Sequence, residues 1–314
     1  MPPTVGVVSI RGHGGHHTTM DMTEAVETYL LLKRQRCSPR TIELDQQILA
    51  EFVVFLGDRP IDLITTSHIR LFIEHERERG LGEHTVKRKY ASLSALWAWM
   101  SSEDVGLVPA NVVRRVPTPR PRTDVVRGLT GEQIEGLFRA AQTSKYPRRA
   151  RAILLFFLDT GCRATEMRTA RMEDVNWLAS SVLVTGKGNK QRFVYFGDRC
   201  LQALRLYISV ERPRAKRPEE DMLFLTEDGY AFGRYSVRSI IRRLGQEAGF
   251  ICYPHLLRHT CAIERLRNGM DLAILQRLMG HANPRTTIGY LSALNDEDVA
   301  GSSRTTSPGD RRRL

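Results

Sequence analysis

The chain has 314 residues, of which 41% are apolar and 26% charged, which is typical of a globular protein long enough for two domains. Its net charge of +12 and pI near 9.8 favour a polyanionic partner such as nucleic acid, although a basic but otherwise ordinary enzyme is an equal alternative. No apolar run approaches the ~20 residues that span a bilayer, and five scattered cysteines argue against a disulfide framework or a zinc site. We therefore expect a cytoplasmic protein with reduced thiols and no membrane contact.

The N-terminal third of the chain predicts a leader followed by a helical domain. Residues 1–20 lack the apolar core of a signal peptide and predict a disordered leader. Residues 21–105 show amphipathic periodicity, and Ser38 with Pro39 supplies a cap and a first-turn proline for the second helix. The predicted helices are Met22–Arg36, Pro39–Leu56, a segment between a capping Thr66 and a terminating Gly80, and Glu83–Met100.

Three consecutive basic residues, Lys87, Arg88 and Lys89, lie near the start of the fourth predicted helix. Such a run is often a solvated helix face. On a strongly basic protein it can equally contact the phosphates of a nucleic acid. The three residues are therefore candidate DNA contacts.

Residues 106–126 alternate prolines with arginines and predict an extended basic linker, because proline is disfavoured inside helices and sheets. Arg120 and Arg122 lie in this segment. They are candidate contacts to a DNA backbone, although a plain hinge would have a similar composition.

A second domain is predicted over residues 127–298. Thr130 caps its first helix, and an apolar helix over Ala150–Asp159 is broken by Gly161. Residues 299–314 are rich in Ser, Thr, Pro, Gly and Arg and predict a disordered basic tail.

A β-hairpin is predicted within the second domain. Two runs with alternating apolar residues, Ser181–Thr185 and Gln191–Phe196, flank a Gly-Lys-Gly-Asn-Lys turn. Lys190, in this turn, is a further candidate DNA contact. Lys187 lies between the two glycines, where a solvated turn lysine is the ordinary alternative, and the spacing excludes a nucleotide-binding P-loop. A lysine at a flexible tip can nevertheless deliver a proton to a leaving oxygen.

Arg163 follows a glycine at a helix start, where free backbone amides favour anions. Glu166 shares its helix face and can orient the guanidinium. Alone, an Arg–Glu pair at this spacing is usually a surface salt bridge of small energetic value.

His255 and Arg258 are expected on one helix face. His255 and His259 are spaced like the two histidines of a zinc metallopeptidase, but Leu256 replaces the required glutamate and Arg258 would repel a divalent cation. No metal site is therefore expected here.

His281 follows a glycine at a predicted helix end, and Tyr290 lies nine residues later. Taken singly, they are typical of a capping histidine and an amphipathic tyrosine. Together with the preceding candidates they supply two guanidinium groups, an ammonium, imidazoles and a phenol, without a carboxylate cluster for a metal. This set suits metal-free phosphoryl transfer, because arginine forks bind phosphate oxygens, a phenol can attack phosphorus, and Lys or His can move protons.

In chain order these motifs resemble the tyrosine recombinase (phage integrase) family over nearly the whole chain. The intervals between the candidate residues agree with the family, as do N-terminal segments beginning at Ser38 and Gly82. Cys162, Ala164 and Cys261 depart from the usual neighbours, but none removes a reactive group. The motifs are Thr160-Gly161-Cys162-Arg163, Gly186-Lys187-Gly188-Asn189-Lys190, His255-Leu256-Leu257-Arg258-His259, Leu278-Met279-Gly280-His281 and Thr286-Thr287-Ile288-Gly289-Tyr290.

The resemblance implies a mainly α fold with a small β-sheet or hairpin in the catalytic domain. Residues 21–105 would be a helical core-binding (SAM-like) domain and residues 127–298 the catalytic domain, arranged as a two-domain, C-shaped clamp around DNA. Because the first helix starts near residue 22, the resemblance is to the simpler Xer-like and transposon-borne members, without an arm-binding domain.

The resemblance also implies roles for the residues that would hold the phosphate. Arg163 and Arg258 would bind the scissile phosphate and stabilise its pentacoordinate transition state. His281, where some members have tryptophan, would hydrogen-bond the phosphate.

The remaining implied roles concern bond cleavage. Tyr290 would be the nucleophile that forms a 3′-phosphotyrosine. Lys187 would be the general acid for the 5′-oxygen, and His255 would assist as acid or base.

The resemblance thus implies a site-specific recombinase that needs neither metal, ATP nor another cofactor and exchanges strands through a Holliday junction. Its partners would be duplex DNA with an inverted-repeat core site, three further protomers of itself or of a related recombinase, and in some reactions accessory DNA-binding proteins. The alternatives are a type IB topoisomerase, which swivels one strand without pairing two sites, and a catalytically silent DNA-binding regulator.

Overall fold

The computed structural model describes residues 20–57, 59–121, 127–186, 188–217, 219 and 221–306. The chain divides into two compact units, residues 1–123 and 124–314, each with its own apolar core. Residues 1–19 of the predicted leader and 122–126 of the predicted linker lie outside the described residues. None of the described helices is long and apolar enough to cross a membrane.

The first unit consists of helices around an aromatic core. Phe52 lies edge-on to Phe72 and to Trp97, with ring centroids 4.9 and 5.7 Å apart, and all three are almost completely buried. Such edge-to-face pairs contribute about 0.5–1.5 kcal/mol beyond the burial of apolar area. The helices are α1 (Met22–Lys33), α2 (Pro39–Leu56), α3 (Thr66–Glu78) and α4 (Glu83–Met100), with 3-10 helices at Ile61–Leu63 and Val112–Arg115.

The predicted bounds of α2 and α4 are confirmed. At the start of α2 the Ser38 hydroxyl accepts a hydrogen bond from the Thr41 amide at 3.3 Å. At its end Gly57 adopts φ of 72°, a left-handed conformation that glycine reaches without steric cost.

Two other helix ends differ from the prediction. The cap of α3 is Thr65 and not Thr66, because the ring Nδ1 of His68 accepts a hydrogen bond from the Thr65 amide at 3.1 Å and completes a capping box. The first helix ends at Lys33, three residues before the predicted Arg36.

The predicted linker, residues 106–126, begins too early. Val108, Val113 and Val116 are buried in the core of the first unit. The Tyr90 hydroxyl lies 3.2 Å from the carbonyl oxygens of both Val113 and Val116. The prolines do prevent a long helix here, but the valines between them bury apolar surface and keep this segment in the first unit.

The second unit is mainly helical with a three-stranded antiparallel sheet in the order β1 (Val175–Asn176), β2 (Ser181–Thr185), β3 (Gln191–Tyr195). The predicted hairpin is β2–β3, although its second strand ends one residue early. The helices are α5 (Gly131–Thr143), α6 (Pro147–Thr160), α7 (Ala164–Thr169), α8 (Asp198–Leu206), α9 (Ser236–Glu247), α10 (Pro254–Arg267), α11 (Leu272–Met279), α12 (Pro284–Ile288) and α13 (Asp296–Thr306), with a π-helical turn at Tyr207–Glu211 and a 3-10 helix at Gly289–Ala293.

Helix α6 lies at the centre of the second unit, packed against α5, α8 and α10. Most of its residues from Ala152 to Phe157 have no exposed surface, so this part of the helix is apolar on all sides. This burial fixes the position of its carboxyl end, which leads into the segment carrying Arg163.

The prediction of a disordered tail over residues 299–314 is wrong for residues 299–306, which belong to α13. Asn295 and Asp298 exchange side-chain and backbone hydrogen bonds at 2.8 and 3.0 Å, which caps the helix start. Arg267, from α10, lies 3.3 Å from the Asp298 carboxylate. Residues 307–314 lie outside the described part of the chain.

Candidate active site

Arg163 is positioned by the turn between α6 and α7. Gly161 closes α6 at φ of 58°, and a Cβ there would lie 2.8 Å from the Met279 sulfur, so both backbone and packing require glycine. The Arg163 guanidinium donates to Glu166 Oε1 at 2.8 Å and to the Gly280 carbonyl at 3.0 Å, while 34% of the side chain stays exposed. It is therefore anchored and still accessible to an anion.

Glu166 is fully buried and binds two arginines. Arg192, on β3, donates to both carboxylate oxygens at 2.8 and 2.9 Å and to the Leu278 carbonyl at 2.8 Å. Burial alone would raise the pKa of Glu166, but the hydrogen bonds from Arg192 and Arg163 outweigh it and hold the pKa at about 2. Glu166 thus remains a carboxylate, and its expected contact with Arg163 is present.

Arg258 projects from α10 into the same site and is 1% exposed. Its Nη1 donates to the Gly161 carbonyl, and its Nη2 donates to the Met279 carbonyl at 2.6 Å and to His281 Nε2 at 2.9 Å. Its Nε is buried without a hydrogen-bond partner among the described residues. Buried N–H groups normally have an acceptor, so this donor is unusual, and Arg258 also interacts with the Tyr290 hydroxyl.

His281 follows Gly280, which ends α11 at φ of 63°. Because an arginine can only donate, the bond from Arg258 requires His281 Nε2 to accept and leaves the proton on Nδ1, 2.9 Å from Thr287 Oγ1. Burial, followed by repulsion from Arg258 and Arg163, lowers the pKa of His281 to about 4. The ring is therefore neutral near pH 7, with both nitrogens engaged.

Tyr290 lies on the 3-10 helix before α13 and is 2% exposed. Its hydroxyl is 3.0 Å from His259 Nδ1, and its ring stacks on that of His281 with centroids 6.1 Å apart. Burial raises the pKa of Tyr290, partly offset by Arg258, so the phenol is protonated at neutral pH. His259 was missed as a site residue because its spacing from His255 suggested only a metal motif.

His255 lies one turn before His259 on α10, with ring centroids 4.5 Å apart. It remains accessible to solvent, although protein atoms crowd its ring. Partial desolvation, followed by repulsion from Arg258 and Arg163, lowers its pKa and favours the neutral ring.

Two arginines that the sequence reasoning did not select, Arg234 and Arg238, line a groove together with Arg163 and His255. They belong to the segment that leads into α9 and to α9 itself. Their sequence context carries no distinctive motif, so only the fold brings them to the site.

Lys187 lies outside the described residues, but the turn on either side of it is described. The Gly186 amide donates to the Lys190 carbonyl at 2.8 Å, which closes the β2–β3 turn. A Cβ on Gly186 would lie 3.0 Å from Glu166 Oε1, so the base of this turn lies against the carboxylate that holds Arg163.

Lys89 is not a DNA contact, contrary to the prediction. Its side chain is 6% exposed, and its ammonium is bound by the carboxylates of Glu76 and Glu51 inside the first unit. The helical period explains the difference, because Lys89 lies on the same face as the buried Val86 and Leu93.

The other candidate DNA contacts have different degrees of exposure. Lys87, Arg120 and Lys190 are exposed, and Arg88 is half-exposed with a salt bridge of 2.6 Å to the buried Asp45. Arg122 lies outside the described residues.

Within the described ranges, no group of three or more His, Cys, Asp or Glu side chains is placed to hold a metal ion. The site contains a buried phenol, two arginines that donate to the adjacent carbonyls of Gly280 and Met279, and two neutral imidazoles next to the phenol. This arrangement is compatible with transfer of a phosphoryl group to a tyrosine, because arginines can bind a phosphodiester and a phenol can attack it.

The chain belongs to the phage integrase family. The family model matches residues 127–297, and the model of the phage integrase N-terminal SAM-like domain matches residues 23–107. Tyrosine recombinase XerC of Bacillus subtilis strain 168 is 31% identical over 252 residues, covering 77% of this chain and 82% of that one. XerC of Alcanivorax borkumensis strain SK2 is 28% identical over 278 residues, covering 87% and 90%. This protein is therefore a tyrosine-type site-specific recombinase.

Solved structures share the two-domain, mainly helical fold. The Tn1549 transposon integrase in complex with transposon right end DNA has a TM-score of 0.76 at 19% identity, covering 92% of this chain and 100% of that one. A lambda integrase dimer bound to a COC′ core site has a TM-score of 0.71 at 17% identity, covering 85% and 97%. The XerA recombinase is 25% identical with a TM-score of 0.51, covering 91% and 99%.

Proposed function

We propose that this recombinase cleaves duplex DNA by attack of the Tyr290 phenol on a phosphodiester, which leaves a 3′-phosphotyrosine and a free 5′-hydroxyl. The observation that carries the proposal is the convergence of Arg163, Arg258, His281 and Tyr290 from four separate segments, with Arg258 donating to His281 and the Tyr290 ring stacked on that of His281. Because the phosphotyrosine ester conserves the energy of the broken bond, rejoining needs no ATP.

In this proposal the arginines take the role that metal ions have in many phosphoryl transferases. Arg163 and Arg258 bind the non-bridging oxygens. His281 donates to the phosphate after giving up its present bond to Thr287.

The leaving 5′-oxygen also needs a proton. Lys187, which follows Gly186 in the sequence, is the proposed general acid, and the contact of Gly186 with Glu166 supports this role. His255, accessible and neutral, assists as acid or base.

The proposed partner is duplex DNA with an inverted-repeat core site. Lys87, Arg88, Arg120, Arg122 and Lys190 are the proposed backbone contacts, and the net charge of +12 supports a polyanionic partner. The first unit would bind the core site and the second would carry the chemistry.

The proposed assembly is a homo-tetramer, or a hetero-tetramer with a related recombinase, on two DNA sites, with strand exchange through a Holliday junction. Accessory DNA-binding proteins would take part in some reactions. The reaction would take place in the cytoplasm.

Covalent capture tests the proposal. Wild-type and Tyr290→Phe protein are incubated with fragmented host DNA, stopped with detergent, and the protein-linked DNA is sequenced. We expect adducts from the wild type alone, focused on one inverted repeat, with DNA binding by Tyr290→Phe nearly unchanged. Adducts from Tyr290→Phe would refute this nucleophile.

Two outcomes would favour the alternatives. Dispersed adducts without recombinant joints between two DNAs would favour a type IB topoisomerase. DNA binding without adducts, even with host factors added, would favour a silent regulator.

A further inference from the structure

His259 is in direct contact with the atom that the proposed function makes the nucleophile. It follows Arg258 on α10, and its Nδ1 lies 3.0 Å from the Tyr290 hydroxyl. The two rings meet edge to face, with centroids 5.5 Å apart and an interplanar angle of 62°. No role in catalysis was given to His259 by its sequence motif.

The other polar groups around the phenol are poor proton acceptors. Arg258 can only donate. His281 stacks on the Tyr290 ring, but its Nε2 accepts from Arg258 and its Nδ1 faces Thr287. His259 Nδ1 is therefore the ring nitrogen directed at the reacting oxygen.

The ring of His259 is neutral at physiological pH. Burial, followed by repulsion from His255 and Arg258, lowers the pKa of His259 to about 4. A neutral imidazole that accepts at Nδ1 carries its proton on Nε2. A bound phosphodiester would bring a negative charge beside Arg258, which offsets part of this repulsion and makes the ring more basic when substrate is present.

We propose that His259 is the general base for Tyr290, accepting the phenolic proton at Nδ1 as the phenol attacks phosphorus and returning it on rejoining. This inference rests on the proposed function. In cleavage the Tyr290 O–P bond forms, the bond from phosphorus to the 5′-oxygen breaks, the phenolic proton moves to His259, and the 5′-oxygen takes a proton from the general acid. In rejoining the 5′-hydroxyl attacks phosphorus and gives its proton back to the general acid, the Tyr290 O–P bond breaks, and the imidazolium of His259 returns its proton to the leaving phenolate.

The matched variants are His259→Asn and His259→Ala. Asparagine places an amide oxygen near the position of Nδ1, so it can keep the hydrogen bond that orients Tyr290, but it cannot take up a proton. Cleavage is measured in a single turnover on a nicked DNA that traps the covalent adduct, together with DNA binding. We expect both variants to bind DNA like the wild type and to cleave about 10²–10⁴-fold more slowly. If His259→Asn cleaved DNA at the wild-type rate, the proposal would be overturned, and His259 would have only an orienting role.

A second substrate separates a base at the nucleophile from an acid at the leaving group. Replacing the bridging 5′-oxygen with sulfur gives a leaving group that needs no proton, because thiols are far more acidic than alcohols. We expect His259→Asn to cleave this DNA slowly as well. Lys187→Ala, which removes the proposed general acid, is the comparison. Recovery of His259→Asn to the wild-type rate would place its proton at the leaving group and overturn the proposal.

A spectroscopic measurement tests the contact without changing His259. The ¹⁵N resonance of His259 Nδ1 should shift between the wild type and Tyr290→Phe, because the phenylalanine cannot donate. An unchanged resonance would overturn the proposal even if the His259 variants failed to fold.

The same experiments distinguish the inference from the proposed function. If wild-type protein forms no adduct, or Tyr290→Phe forms as many, the proposed nucleophile is wrong and the inference falls with it. If adducts depend on Tyr290, the proposed function stands, and the rates of His259→Asn on the two substrates decide the role of His259.

Discussion

The rings of His259 and His281 both lie next to that of Tyr290, and burial together with nearby positive charge lowers the pKa of each ring to about 4. A histidine in an unfolded chain titrates near pH 6.5. Between about pH 6.5 and 4 the unfolded chain therefore binds protons that the folded chain does not. By linkage, the free energy of unfolding must fall as the pH falls through this window.

We expect the free energy of unfolding of the second unit to decrease from pH 6.5 towards pH 4, by at most about 1.4 kcal/mol per pH unit for each of the two histidines. His281→Gln removes one titrating ring and should flatten this dependence. The measurement is urea unfolding at a series of pH values. His84→Gln, at an exposed position in the first unit, is the control for a histidine substitution outside the second unit. If the free energy of unfolding had the same pH dependence in His281→Gln and the wild type, the lowered pKa of His281 would be contradicted.

For individual residues, the sequence predicted the reactive groups but not all of the side chains that contact them. Arg163, Arg258, His281 and Tyr290 come together as their motifs suggested, and Glu166 reaches Arg163 within one helical turn. The contacts of Arg192 with Glu166 and of His259 with Tyr290 join residues 26 and 31 positions apart. Such pairs depend on how α7 packs against β3 and how α10 packs against the 3-10 helix at Gly289–Ala293, which no local pattern encodes.

At the scale of elements, the end of α6 controls where Arg163 lies. Gly161 combines a left-handed backbone with close approach to Met279, whereas Gly269 in the same unit has φ of 81° and no atom within 4 Å of an added Cβ. The two glycines therefore separate the backbone cost of a substitution from its packing cost.

We expect Gly269→Ala to destabilise the second unit by about 1 kcal/mol, the cost of a left-handed alanine. Gly161→Ala should cost about 2–4 kcal/mol, because overpacking adds about 1–3 kcal/mol. It should also slow cleavage by displacing Arg163. Chemical denaturation measures both variants, and equal losses of stability would show that the contact with Met279 is unimportant.

Helix α4 offers a second matched pair, since Lys87 is exposed and Lys89 is held by Glu76 and Glu51. Breaking a buried ion pair from one side costs about 3–5 kcal/mol, whereas an exposed lysine contributes little to stability. Lys89→Ala should therefore destabilise the first unit strongly. Lys87→Ala should leave stability unchanged but weaken DNA binding and reduce its salt dependence by about one released ion.

Thermal unfolding and DNA titrations at several salt concentrations test this pair. A stable Lys89→Ala protein with a reduced salt dependence would return Lys89 to the DNA-binding surface. Full DNA affinity in Lys87→Ala would remove Lys87 from it.

The elements that could be predicted are those fixed by local signals. Helix α2 has a serine cap, a first-turn proline and a terminal glycine, and its bounds followed from these three residues. Helix α13 contains Gly301 and several small polar residues, and its start is held by a contact from Arg267 that the sequence does not reveal. The segment around Val113 was taken for a linker because its burial depends on Tyr90 and the rest of the first core.

At the scale of the whole molecule, positive charge performs two tasks. Most of the net charge of +12 lies on the second unit, since residues 124–314 carry +10 and residues 1–123 carry +2, and this charge suits contact with a DNA backbone. Within the second unit, Arg163 and Arg258 place fixed cations where a phosphodiester can bind. A guanidinium binds phosphate oxygens through paired N–H donors and stays charged at any physiological pH, so these arginines can balance the charge that develops in the transition state.

We therefore expect strand cleavage to persist in EDTA at the rate measured with magnesium, once ionic strength is matched. The assay is adduct formation on nicked core-site DNA, with a magnesium-dependent restriction endonuclease on the same DNA as the control that chelation is complete. Arg258→Lys keeps the charge but loses the forked donors and the contacts with Met279 and His281. It should lose most cleavage in either buffer. A strict magnesium requirement in the wild type, or recovery of Arg258→Lys by magnesium, would mean that a cation and not the guanidinium carries the transition-state charge.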